Sequence, residues 1–181
     1  MGVFQYFSYG SNLLRERILI SNPTAKFRCV GRLNNYALQF DTPRFPGKPR
    51  WHGAPATIEE KDGSYVMGCV WEINEAHTSN LDAQEALYHP IFVDVDLETG
   101  ENVKCRSYQM NNDRTGDTLP SPFYIKVMID GAKQNNMPAE YINFLENVPT
   151  NGIKEPPPVY LTVMDMIEKF RKSAKENGTT F

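Results

Sequence analysis

The chain has few of the residues that build metal centres, disulfide frameworks, nucleic-acid surfaces or membrane spans. Its 181 residues include three cysteines, Cys29, Cys69 and Cys105, scattered and odd in number. They form no Cys-x-x-Cys pair, which speaks against a zinc ribbon or a disulfide-stapled domain and for a reducing compartment. Each lies in an apolar, strand-like stretch, where free cysteine is normally a small buried hydrophobe. His52, His77 and His89 are too dispersed for a metal site and read as loop or helix-surface residues. The net charge is -3 and no long basic run occurs, so no nucleic-acid partner is expected. Lys169, Arg171, Lys172 and Lys175 alternate with Glu168 and Glu176, as on a solvated helix face. No apolar run approaches the roughly 18–20 residues of a membrane span. An apolar segment begins at once after Met1-Gly2, without the basic region of a signal peptide. Tyr6 stands where a myristoylation motif needs Ser or Thr, and the Thr179-Thr180-Phe181 end lacks a prenylation cysteine. A cytoplasmic protein without membrane attachment is the expectation. Phosphate loops, GxGxxG and GxSxG are also missing, so an enzyme of this sequence is expected to work without metal or nucleotide.

What is present is a globular composition: 40% apolar and 12% aromatic residues in a length suited to one domain. Val3–Ser8 reads as a buried strand stopped by Gly10-Ser11-Asn12, with Asn12 a good N-cap for a short helix. Leu13, Leu14, Ile18 and Leu19 give that helix its apolar stripe, with Arg15, Glu16 and Arg17 between them. Strands are expected at Arg28–Leu33 and Tyr36–Asp41, followed by a proline-rich loop up to Trp51-His52-Gly53. Ala54–Glu59 and Tyr65–Ile73 flank Asp62-Gly63, the signal of a hairpin. Ser79 to Asp82 resembles a capping box opening a helix to about Leu87. Two further strands, Ile91–Asp96 and Val103–Met110, precede helices opening at Ser121-Pro122, at Pro138 and near Val159. Many short strands followed by helices, without regular alternation, predict an α+β fold: a small mixed, strongly curved β-sheet or barrel with surrounding helices. Residues 1–150 are expected to form the main domain. Residues 151–181, a proline-containing segment and a helix, are expected to be part of the same unit.

Two segments carry the types of residue that chemistry needs. Tyr6-Phe7-Ser8-Tyr9-Gly10-Ser11-Asn12 places a glycine and small polar residues between a strand and a helix, where backbone N–H groups receive a carboxylate or oxyanion. On local physics the plainer alternative is a turn with an N-cap. In Leu81-Asp82-Ala83-Gln84-Glu85-Ala86-Leu87, a carboxyl between apolar neighbours gains acid/base competence if burial raises its pKa. The plainer alternative there is a solvated helix glutamate. Asp82, one turn earlier, either raises that pKa by repulsion or caps the helix, and capping is the commoner role.

Taken together, the two segments resemble the gamma-glutamylcyclotransferases. Further matches follow in order: Asn22-Pro23, Arg32-Leu33, Trp51-His52-Gly53 with Ala56-Thr57-Ile58, Gly68 to Trp71, Cys105 to Tyr108, Pro120 to Tyr124 and Gly131-Ala132-Lys133. The resemblance spans residues 3–148 and is weak after Pro149. It implies a cofactor-free enzyme that cyclises gamma-glutamyl amino acids or dipeptides to 5-oxoproline and a free amino acid. Glu85 is then the catalytic acid/base, with Tyr6, Phe7, Ser8, Tyr9, Gly10, Ser11, Asn12 and Tyr124 binding a small gamma-glutamyl substrate. Some members are homodimers, so a homodimer is the assembly the resemblance suggests. Two departures stand out: Ala86 follows the glutamate where Gly is common, and Phe92 falls where a site tyrosine is expected. They keep open a binding homologue with little or no activity. A gamma-glutamylamine- or glutathione-type cyclotransferase is the other alternative.

Overall fold

The computed structural model describes residues 2–176; the Thr179-Thr180-Phe181 end lies outside them. Five strands, β1 (Val3–Ser8), β2 (Lys26–Phe40), β3 (Ala56–Asn74), β4 (Tyr88–Leu97) and β5 (Asn102–Met110), close into a barrel in the order β1-β3-β2-β4-β5. All neighbours are antiparallel except β1 and β5, which meet in parallel at Tyr6 and Arg106 and complete the ring. Its interior is filled by buried side chains from several strands, such as Phe7, Leu33, Val66, Val70 and Val95, while Trp71 and Ile73 are buried on the opposite, outward face of β3. The expected curved mixed sheet with surrounding helices is therefore the architecture observed.

Three local expectations are corrected. Arg28–Leu33 and Tyr36–Asp41 are halves of one strand, β2, interrupted by a bulge at Asn35, whose φ of 60° is tolerated by asparagine. Asp62-Gly63 makes no hairpin. Tyr65 pairs with Asn34 and Glu60 with Tyr36, so 61–64 loop out of a continuous β3, and the Gly63 amide donates to Asn35 Oδ1. Asn12 caps no helix. It lies inside a 3-10 turn, Ser11–Leu13, which hands over to α1 (Arg15–Ser21) without a side-chain cap of its own. That cap comes through space instead: Gln134 Oε1 accepts the Arg15 amide, and its Nε2 donates to the Glu16 carboxylate.

Between β3 and β4, Asn74 caps a 3-10 turn that runs into α2 (Thr78–Gln84), so the helix starts before Ser79 and stops well before Leu87. After the barrel come α3 (Pro122–Gln134), α4 (Ala139–Glu146) and α5 (Pro158–Glu176). Ser121 caps α3 by accepting the Tyr124 amide, with Pro122 in the first turn where its missing N–H costs nothing. Gly131 lets α3 approach the 3-10 turn, since a Cβ there would sit 2.5 Å from the Leu13 and Leu14 backbone. α5 packs on α1 and buries Val163. Among the described residues no helix is long and apolar enough to cross a membrane.

Candidate active site

The chain from β2 to β3, residues 41–55, is a long hairpin connection and forms one wall of a cavity of about 650 Å³ at the barrel mouth. The Arg44 amide donates to Asp113 O, the Ala54 amide to Leu119 O and Asn151 Nδ2 to His52 O, so the loop is tied down along its length. The opposite wall is the turn after β1 together with α1, and the end of α2 supplies the rest.

Glu85 lies one residue beyond α2, half-buried, with φ -102° and ψ 29°. It lines the cavity. Burial pushes its carboxyl up to about 7, against the opposing pull of Arg17 and Arg50. Asp82 plays neither role considered for it. Its Oδ1 takes a 2.7 Å ion pair from Arg106 and a hydrogen bond from the Tyr108 hydroxyl, which hold its carboxyl below the usual range.

The residue before the glutamate ties this end of α2 to the β1 turn. Gln84 Nε2 donates to Asn12 Oδ1 at 3.1 Å, Asn12 Nδ2 donates to the Tyr6 hydroxyl at 3.2 Å, and Asn22 Nδ2 donates to Gln84 Oε1. Asn12 is thus a buried linker. Tyr6, Tyr9, Gly10, Ser11 and Asn12 all border the cavity, as does Tyr124. Phe7 and Ser8 do not: Phe7 is barrel core, and the Ser8 hydroxyl accepts the Trp71 indole N–H and donates to Asn12 O. Strand alternation turns Phe7 away from the Tyr6 face, whereas Ser8 shares that face and is buried with its hydroxyl spent on Trp71 and Asn12.

Four tyrosines surround Glu85. Tyr88 and Tyr124 grip one peptide unit each side of Ala56: Tyr88 donates to its carbonyl at 2.7 Å, and Tyr124 accepts from its amide at 3.1 Å. Gly10 makes room for Tyr124, whose Oη lies 2.7 Å from where a Cβ would stand. Tyr9 spends its proton on the Tyr108 carbonyl. Tyr6 and Tyr124 have no acceptor for theirs among the described residues. Burial raises all four phenols, Tyr124 to about 12, so each stays a neutral donor.

Arg17, Arg50, Trp51 and Tyr88 also line the cavity. Arg17 escaped the sequence reading as one of the polar residues between apolar ones. The two departures differ in where they fall: Ala86 lines the cavity and Phe92 does not. Among the described residues Ala86 is not at positive φ, so its backbone needs no glycine, and Phe92 is 66% exposed and absent from the cavity wall. No three of His, Cys, Asp and Glu converge among the described residues.

Residues 65–145 match the model of the AIG2-like family. A gamma-glutamylcyclotransferase of Bos taurus is 44% identical over 155 residues, covering 83% of this chain and 81% of that protein. One of Homo sapiens is 41% identical over 152 residues, covering 82% and 80%. A solved gamma-glutamyl cyclotransferase structure superposes with a TM-score of 0.85 at 38% identity, covering 93% of this chain and 99% of that one. Barrel, cavity and ordered sequence matches agree, and the chain belongs to the gamma-glutamylcyclotransferase family.

Proposed function

We propose that this enzyme cyclises gamma-glutamyl amino acids or dipeptides to 5-oxoproline with Glu85 as its acid/base. The observation that supports this most is a carboxyl at about 7, without an ion pair among the described residues, lining a cavity rimmed by neutral phenols. A group titrating near the working pH both takes and returns a proton at little cost.

The substrate brings its own nucleophile, the alpha-amino group, and closing a five-membered ring is intramolecular, so the protein has to fold the substrate and move protons. The Glu85 carboxylate takes a proton from the alpha-ammonium, and the freed amine attacks the gamma-carbonyl carbon. Charge then develops on the carbonyl oxygen, within reach of the unspent hydroxyls of Tyr6 and Tyr124 and the amides of the Gly10–Asn12 turn. Collapse breaks the bond from that carbon to the amide nitrogen. Two protons leave the alpha-nitrogen in all, and two arrive on the departing amine, which leaves as an ammonium. Glu85 carries them in turn and ends as the carboxylate it began as. The cavity-facing members of the β1 turn, Tyr6 and Tyr9 to Asn12, hold the substrate with Tyr124, while Phe7 from inside the barrel and Ser8 through its bond to Asn12 O support that turn.

The test is 5-oxoproline release from gamma-glutamyl-alanine, gamma-glutamyl-epsilon-lysine and glutathione by wild type and Glu85→Gln. Wild type is expected to act on at least one, with the preferred compound naming the subtype, and the variant to lose at least ~100-fold in rate. Equal turnover by the two proteins removes Glu85 from this role. Ligand binding without product would instead make the chain a binding homologue.

A further inference from the structure

Arg17 presents a problem that the acid/base reading leaves open. It projects from α1 and is only 4% exposed, a position arginine almost never takes without a partner. Yet among the described residues its guanidinium makes no ion pair and no hydrogen bond, and its buried Nε has no acceptor. The helix that carries it is fixed: Glu16 is held by Gln134, and α5 packs along α1. The side chain borders the same cavity as Glu85. The two face each other's charge without meeting, for no Glu85 oxygen lies within ion-pair distance of it. Arg50 and Lys48 border the cavity too, but both are exposed and solvated, so neither requires a ligand.

An unpaired buried cation is costly unless something absent from the empty protein neutralises it. On the reading of the reaction given above, we propose that Arg17 binds the alpha-carboxylate of the gamma-glutamyl group through charge-assisted hydrogen bonds, setting the alpha-nitrogen on the same carbon against Glu85. A guanidinium fork suits a planar carboxylate, and holding that end fixes which way the amine points. The assignment also divides the work of the site. Arg17 takes the permanent negative charge of the substrate, and the β1-turn amides and free phenols are left for the charge that develops during reaction. Bound carboxylate would further cancel the pull of Arg17 on Glu85, making the glutamate a stronger base once substrate is seated.

Calorimetric titration with 5-oxoproline and with 2-pyrrolidinone, the same ring without its carboxylate, tests this on wild type, Arg17→Met and Arg17→Lys. Wild type is expected to favour 5-oxoproline by roughly 10- to 100-fold, the weight of one charge-assisted pair. Arg17→Met should bind both rings alike, and Arg17→Lys should fall between. Thermal unfolding of the empty proteins serves as the control for a structural role. Arg17→Met is expected to melt at or above the wild-type temperature, because the unpaired cation is gone. A lower melting temperature with equal weakening towards both rings would make Arg17 a structural support and overturn the proposal. Unchanged discrimination in Arg17→Met, or none in wild type, overturns it as well. Release of 5-oxoproline from gamma-glutamyl-alanine by wild type, measured alongside, shows whether the proposed reaction stands independently of Arg17.

Discussion

At the scale of single residues the site is governed by where charge is buried. Glu85 titrates near neutrality because protein replaces water around it, and as a base it must be ionised. For wild type kcat/KM is therefore expected to rise with pH through about 7 and then level, an inflection that Glu85→Gln should lack. The same shift has a cost in stability. A carboxyl near 7 in the folded protein, against about 4.3 in the unfolded chain, makes the folded state bind the extra proton between those values. Stability contributed by that proton is full below about pH 4 and lost as pH rises through about 7. Glu85→Gln is accordingly expected to be more stable than wild type at pH 8, on the order of 1–3 kcal/mol, with the difference gone below about pH 4. Denaturant titrations at the two pH values measure it. The glutamate was legible in the sequence only through the motif around it, since a carboxylate between apolar neighbours looks the same on a solvated helix. Arg17 was less legible still: composition marks arginine as a surface residue, and burial depends on what other elements place over it.

Elements then decide whether such residues meet. α2 is short and ends on the residue before Glu85, and Gln84 reaches across to Asn12. Gln84→Ala is expected to cut this link, lowering kcat/KM by roughly 10-fold while costing about 1–3 kcal/mol of stability, as for two lost hydrogen bonds. Steady-state kinetics beside thermal unfolding separate the two effects; an unchanged rate would show that the glutamate needs no such brace. Element types were largely readable, and β1 carries the bounds its aromatic run suggested. Interruptions were not. Asp-Gly reads as a hairpin turn and Asn35 as a break, yet both are one bulge, because the partner strand β2 runs past the interruption on each side. Pairing is a property of two segments, and neither shows it alone.

For the whole molecule, barrel closure brings β1, the 41–55 loop and the end of α2 to one mouth. A curved mixed sheet was inferable from many short strands. That β1 lies between β3 and β5 was not, because strand order depends on contacts between distant parts of the chain. The last helix belongs to this scale. α5 lies along α1, which carries Arg17, and its Tyr160 ring stands 5.0 Å from Phe123 of α3. A chain ending after Lys154 is expected to melt roughly 5–10 °C lower, through exposure of that apolar seam, and to lose activity with it. Calorimetry and 5-oxoproline release on the shortened chain test whether α5 forms one unit with the rest. An unchanged melting temperature would make α5 an appendage.

The two tryptophans occupy the two compartments of this architecture. Trp71 is sealed on the outward face of the barrel wall with its indole N–H on Ser8, while Trp51 stands on the cavity loop, its ring 5.2 Å from Tyr124. Their intrinsic fluorescence is consequently partitioned: one indole senses solvent only when the barrel opens, the other whenever the cavity's contents change. Replacing Trp51 by Phe leaves a chain whose tryptophan emission follows unfolding alone, and replacing Trp71 by Phe leaves one that, while folded, reports the cavity's occupancy with no dye attached.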